Sequence, residues 1–65
     1  MNTIKYMLYA DDTPIMPYDS LEQAQRNAAD FIRRGCKAKI ESLAAPAPTH
    51  TWTYDTDNGG WVHSF

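Results

Sequence analysis

The chain has 65 residues, 43% hydrophobic and 22% charged, a composition typical of one small globular domain over residues 1–65 and not of a disordered segment. A formal net charge of -2 disfavours nucleic acid as the main partner, because that role needs clustered lysine and arginine in excess. The single cysteine excludes an internal disulfide, and no apolar run approaches the roughly 20 residues that cross a bilayer.

We therefore expect no membrane partner. The N-terminal residues lack a basic leader followed by an apolar core, so we expect a cytoplasmic protein of the host cell. A domain of this size buries only about 60% of its unfolded surface and is marginal alone. Self-association as a homodimer is therefore one expectation.

Residues 4–10 are rich in strand-forming side chains. Alternation predicts one side with Ile4, Tyr6 and Leu8, and an outward side with Lys5, Met7 and Tyr9. Two prolines, Pro14 and Pro17, predict a loop over residues 11–19, because proline lacks an amide donor.

A helix is predicted to begin at Ser20, whose hydroxyl can cap the first turn, and to stop at Gly35. Its apolar residues recur at spacings of three, four and seven. That stripe consists of Leu21, Ala24, Ala28, Phe31 and Ile32.

Residues 36–43 alternate as a second strand, with Lys37, Lys39 and Glu41 outward. Prolines make residues 44–48 a stiff connector. Residues 52–65 predict a β-hairpin that turns at Asn58-Gly59, or in a four-residue loop over residues 57–60. Trp52 then faces Phe65 and Tyr54 faces His63. The aromatic side chains share one face of this hairpin: Trp52, Tyr54, Trp61, His63 and Phe65.

The fold expected from this order is α+β, with one helix packed on a four-stranded mixed or antiparallel sheet in the order β-α-β-β-β. The strand-helix-strand unit predicts a right-handed parallel connection. The aromatic face of the hairpin is expected to lie against the helix, whose small alanines permit close approach.

Two short motifs have the chemistry of metal sites. Tyr9-Ala10-Asp11-Asp12 matches the Tyr-x-Asp-Asp pattern of reverse transcriptases, but 65 residues cannot contain a polymerase palm. Asp55-Thr56-Asp57-Asn58-Gly59 resembles a calcium loop, yet the glutamate such a loop requires would fall beyond the last residue. Turns explain both motifs better.

Cys36, His50 and His63 are the side chains best suited to zinc, but structural zinc normally takes four closely spaced ligands. The helix C-terminus before Cys36 should raise the pKa of its thiol, the opposite of what activates a nucleophile. We expect no metal, no cofactor and no enzymatic activity.

The sheet face opposite the helix is the candidate partner-binding surface. Methionine and aromatic side chains among lysines are enriched at protein contact sites, and such a face can also stack single-stranded bases or simply be solvated. The candidate binding residues are Lys5, Met7, Tyr9, Lys37 and Lys39.

The Ser20-Leu21-x-x-Ala24 helix opening, a strand ending in Ile40-Glu41, Trp52-x-Tyr54, an acidic glycine turn and Trp61-Val62 together resemble a small anti-CRISPR protein of type I-F systems. This resemblance covers roughly residues 20–62. It implies a phage or mobile-element protein that binds subunits of the CRISPR surveillance complex and blocks target DNA. The matching basic positions would be Lys37 and Lys39.

The expected function is that of a non-enzymatic protein-binding module that sterically inhibits a host defence complex. The alternatives are a small housekeeping protein that dimerises through a sheet edge, and a weak nucleic-acid-binding module.

Overall fold

The protein is an α+β domain, seen in a computed structural model that describes residues 5–42 and 50–64. Within these residues the elements are β1 (Tyr6–Ala10), β2 (Thr13–Tyr18), α1 (Leu21–Arg33), β3 (Ala38–Ser42), β4 (Thr51–Asp55) and β5 (Gly60–Ser64). The strands form one antiparallel sheet in the order β2-β1-β3-β4-β5. The predicted class is confirmed, but the sheet has five strands and not four.

The additional strand is β2, in the segment that the prolines predict as a loop. Proline is tolerated at a sheet edge when its missing amide points to solvent, and β2 is an edge strand. Because Pro14 and Pro17 are three residues apart, a regular strand would turn one of them toward β1. A register shift prevents this: Pro17 pairs with Met7 and Pro14 with Tyr9, two positions of the same phase.

The β1–β2 connection is a two-residue turn formed by Asp11 and Asp12. Both have positive φ, 50° and 67°, as the type I′ hairpin turn requires. Asp11 also anchors the turn to the start of β3: its amide donates to the Lys37 carbonyl, and its carboxylate accepts from the Lys37 amide, each at 2.9 Å. The turn conformation accounts for both aspartates, and the contacts with Lys37 account for the Asp11 carboxylate.

The early hairpin also changes the strand directions. Since β2 reverses the chain before α1 begins, β3 runs antiparallel to β1, with Leu8 opposite Ile40. The predicted parallel connection between these neighbouring strands is therefore wrong. The two strands that α1 joins, β2 and β3, run parallel to each other on either side of β1.

Helix α1 has the two ends that the sequence predicts. The Ser20 hydroxyl accepts a hydrogen bond from the Gln23 amide at 3.1 Å. At the other end Gly35 has φ 86°, and the amides of Gly35 and Cys36 donate to the carbonyls of Ile32 and Phe31. This is the Schellman motif, which stops a helix at a left-handed residue.

The core lies between α1 and the two central strands. Ala24 and Ala28 are fully buried against Leu8 and Ile40, which are also fully buried, and Ala38 completes the cluster. The alanines bring the helix close to the sheet, as predicted. Ser42, the buried polar residue of β3, is satisfied because its hydroxyl accepts from the His50 amide at 2.9 Å.

The hairpin β4–β5 forms with a different register from the predicted one. Trp52 lies opposite His63 and Tyr54 opposite Trp61. The loop comprises residues 56–59, because the Asp55 carboxylate accepts from the amides of Asp57 and Asn58 and its carbonyl accepts from Gly59. The slip is two residues, so each described side chain of β4 and β5 keeps its predicted face.

Four predictions lie outside the described residues: Ile4 at the start of the first strand, Leu43 at the end of the second, the connector at residues 44–48, and Phe65 as the partner of Trp52. Among the residues that are described, no helix is long and apolar enough to cross a membrane.

Candidate protein-binding surface

The sheet face opposite α1 is the surface that the sequence predicts to bind a partner, and we call it the open face. Helix α1 packs on the side of Leu8, Ala38 and Ile40, so alternation turns the neighbouring residues away from it. No element in residues 5–42 and 50–64 packs on that opposite side. The open face is defined by Met7, Tyr9, Lys39, Glu41, Thr53 and Val62.

Tyr9, Lys39 and Glu41 form a cluster at the centre of the open face. The Lys39 ammonium lies 4.8 Å from the centroid of the Tyr9 ring and 3.8 Å from the Glu41 carboxylate. Partial burial, and then the charge and hydrogen bond of Glu41, raise the pKa of the Tyr9 hydroxyl. The three side chains hold one another in place, and the cluster carries no large net charge.

The predicted binding residues occupy two different settings. Met7, Tyr9 and Lys39 lie together on the open face. Lys5 and Lys37 precede β1 and β3, and because these strands are antiparallel the two lysines lie at opposite ends, about 20 Å apart at 3.4 Å per residue. They cannot contact one small ligand together.

The lysines also differ in what they contact. Lys5 forms an ion pair with Asp19, directly after β2. Lys37 is exposed, and within the described part of the chain its side chain makes no ion pair, although its backbone is bonded to Asp11. Of the three lysines, Lys37 is therefore the one whose charge can be reversed without breaking a described contact.

A second surface lies on the helix side of the sheet, beyond α1. The sequence places the hairpin aromatics against the helix, but α1 approaches β1, β2 and β3 and not β4 or β5 within the described residues. The rings instead pack on one another and on the edge of the core. We call this surface the aromatic shelf; it consists of Tyr6, His50, Trp52, Tyr54, Trp61 and His63.

The contacts within the aromatic shelf are close. The rings of Trp52 and His63 are nearly parallel, with centroids 4.8 Å apart, and Tyr54 meets Trp61 edge to face at 5.4 Å. His50 Nδ1 lies 2.8 Å from His63 Nε2, so these imidazoles share a hydrogen bond. The hairpin pattern predicts the shared face, but its position beside the helix follows from the packing of α1 over β1, β2 and β3.

The other candidate groups are the Cys36 thiol and the acidic turn of the second hairpin, and both lie in local structural settings. Partial burial, followed by the nearby Asp11 carboxylate, raises the pKa of the Cys36 thiol, so the predicted direction is confirmed with a different cause from the helix dipole. Asp55, Asp57 and Asn58 serve the hairpin turn through their hydrogen bonds. In the described ranges no three His, Cys, Asp or Glu side chains are grouped as metal ligands.

Comparison with protein-family models, curated proteins and solved structures finds no match to this chain.

Proposed function

We propose that this protein is a non-enzymatic protein-binding module that docks through the open face, and that it inhibits a host defence complex in the manner of an anti-CRISPR protein. The observation that supports the binding role is an uncovered sheet face on which Met7, Tyr9 and Val62 present apolar surface, with Val62 52% exposed. Methionine and tyrosine are enriched at the centres of protein interfaces.

A protein partner fits this face better than nucleic acid does. Phosphate binding needs lysines available to replace counterions. Of the three candidate lysines only Lys37 has no described ion pair, because Lys5 pairs with Asp19 and Lys39 lies beside Glu41. A protein surface can instead contact the apolar side chains and exchange hydrogen bonds with the mixed charges around them.

The inhibitory role is supported by the motif resemblance to type I-F anti-CRISPR proteins over residues 20–62. Two parts of that pattern are regular elements of the fold. One is the capped helix, and the other is the pair of strands β4 and β5, which contain Trp52 and Trp61. The mechanism is steric: the open face covers a subunit surface that the complex needs to engage target DNA, and Lys37 pairs with an acidic group at the margin.

The test is binding of the purified protein to a purified type I-F surveillance complex, together with binding of target DNA by that complex. We expect the wild type to bind and to block DNA. Tyr9→Ala and Lys37→Glu should each weaken binding about tenfold, the effect of an interface residue worth about 1.4 kcal/mol.

The control is Ala29→Glu, which adds a negative charge on the exposed side of α1 without removing a described ion pair, and which should bind like the wild type. Lys39→Glu is a poor test, because it would place a second carboxylate beside Glu41. A folded wild type that neither binds the complex nor blocks DNA contradicts the inhibitory role. Equal losses for Ala29→Glu and Lys37→Glu contradict the open face as the site.

A further inference from the structure

The two edges of the sheet are protected very differently. An edge strand offers unpaired amides and carbonyls to another strand unless proline, charge or a bulge prevents it. At one edge, β2 has Pro14, Pro17 and a register shift. At the other, β5 (Gly60–Ser64) has no proline and no charged residue, and its register with β4 is regular. Among the described elements, β5 is therefore the edge strand that can pair with a further strand.

We infer that the occupant of this edge is β5 of a second copy of the chain, paired antiparallel about a two-fold axis at Val62. The two sheets then join into one continuous sheet of ten strands.

The register follows from the alternation of side chains. A symmetric antiparallel pair keeps each face continuous only if residues of the same phase lie opposite each other. Centring the axis on Val62 satisfies this condition and pairs all five residues of β5. Val62 meets Val62 of the second copy, Trp61 meets His63, and Gly60 meets Ser64.

The side chains of β5 are compatible with pairing to β5 of a second copy. With no charge on the strand, the pairing brings no like charges together. Val62, which is 52% exposed in one chain, gains an apolar neighbour on the open face. On the other face, Trp61 and His63 extend the aromatic shelf of one copy into that of the next, since these two residues are its outermost members.

The position of α1 leaves room for this arrangement. The helix packs over β1, β2 and β3, and none of its described Cα atoms approaches those of β4 or β5 within 8 Å. A two-fold axis perpendicular to the sheet places both helices on one side, at the far ends of the joined sheet. Both open faces then point the same way, so the dimer does not depend on the proposed function and does not obstruct it.

The experiment is the solution mass, measured by sedimentation from micromolar to millimolar protein. We expect the wild type to move from the 7.4 kDa chain toward twice that mass. Val62→Lys should remain monomeric across this range, because pairing would place two ammonium groups directly opposite each other. Its melting temperature should match that of the wild type at micromolar concentration, where both are monomers. The matched control is Met16→Lys on β2, where the side chain is 50% exposed, and it should dimerise like the wild type.

A charge-swap pair tests the register. Val62→Glu should also be monomeric, whereas an equimolar mixture with Val62→Lys should form a heterodimer, because opposite charges then meet across the axis. A wild type that stays monomeric at millimolar concentration overturns the inference, as does a Val62→Lys variant that still dimerises. A mixture that remains monomeric overturns the pairing at Val62.

Discussion

On the open face, Tyr9 has a structural role beside the binding role that we propose for it. Its ring carries the Lys39 ammonium, and its hydroxyl lies beside the Glu41 carboxylate, so three cross-strand neighbours on β1 and β3 form one unit. Such pairs stabilise a sheet by about 0.2–1 kcal/mol each. In the proposed function, a partner would therefore meet side chains that are already ordered.

The raised pKa of Tyr9 gives a dependence on alkaline pH. Neutral tyrosine is favoured in the folded state, so its contribution to stability is fully present below the unfolded pKa of about 10 and is lost as the pH rises through the folded pKa. Glu41→Gln removes the neighbouring charge and should let Tyr9 ionise at lower pH, which tyrosinate absorbance measures. Tyr9→Phe should remove that part of the titration.

Glu22→Gln, which alters an exposed helix carboxylate, is the control and should titrate like the wild type. Identical alkaline titrations for Glu41→Gln and the wild type would show that Glu41 does not act on Tyr9.

At the scale of elements, the two hairpins close by different means. The β1–β2 turn uses aspartates at positive φ, anchored to β3, whereas the β4–β5 loop is built on Asp55, which accepts hydrogen bonds from the next amides. Gly59 ends that loop with φ 70°. Asp55 holds the loop through its hydrogen bonds, and Gly59 supplies the left-handed residue at its end. The hairpin register therefore depends on the loop as well as on the aromatic pattern.

Two neighbouring glycines test this loop. A Cβ at either Gly59 or Gly60 would meet no atom within 4 Å, so their difference is one of backbone conformation alone. Gly59→Ala should lower the free energy of unfolding by about 1 kcal/mol, because an L-residue is strained at positive φ. Gly60→Ala should be neutral within about 0.5 kcal/mol. Urea unfolding measures both, and equal losses would contradict the role of Gly59.

At the scale of the whole molecule, one helix is too narrow for this sheet. Strands lie about 4.8 Å apart, so five span about 19 Å, while a helix with its side chains is about 10–12 Å wide. Helix α1 covers β1 and β3 and touches β2, which leaves the aromatic shelf beside it. Among the described residues, the cluster beneath α1 is therefore the one buried core that stabilises the domain.

Leu8→Ala measures that dependence. The side chain is fully buried at the centre of the core, and such a truncation costs about 2–5 kcal/mol. A domain of this length has a total stability of only roughly 3–10 kcal/mol. We expect either a large loss of the circular-dichroism signal of the folded state or a much lower urea concentration at the unfolding midpoint. Met16→Ala, opposite Leu8 on β2 but 50% exposed, should cost under about 0.5 kcal/mol. Similar losses for the two variants would contradict a single core.

Local chemistry let the sequence determine the helix, its caps and the two faces of the strands that it predicts. Ser20 and Gly35 act on amides and carbonyls within a few residues, and alternation assigns Met7, Tyr9 and Lys39 to the open face whatever the strand pairs with. Tertiary structure decided the rest. The Pro14–Pro17 segment becomes a strand only because it lies at an edge and shifts its register. The aromatic shelf lies beside α1 because the helix joins β2 to β3 and packs over these two strands and β1.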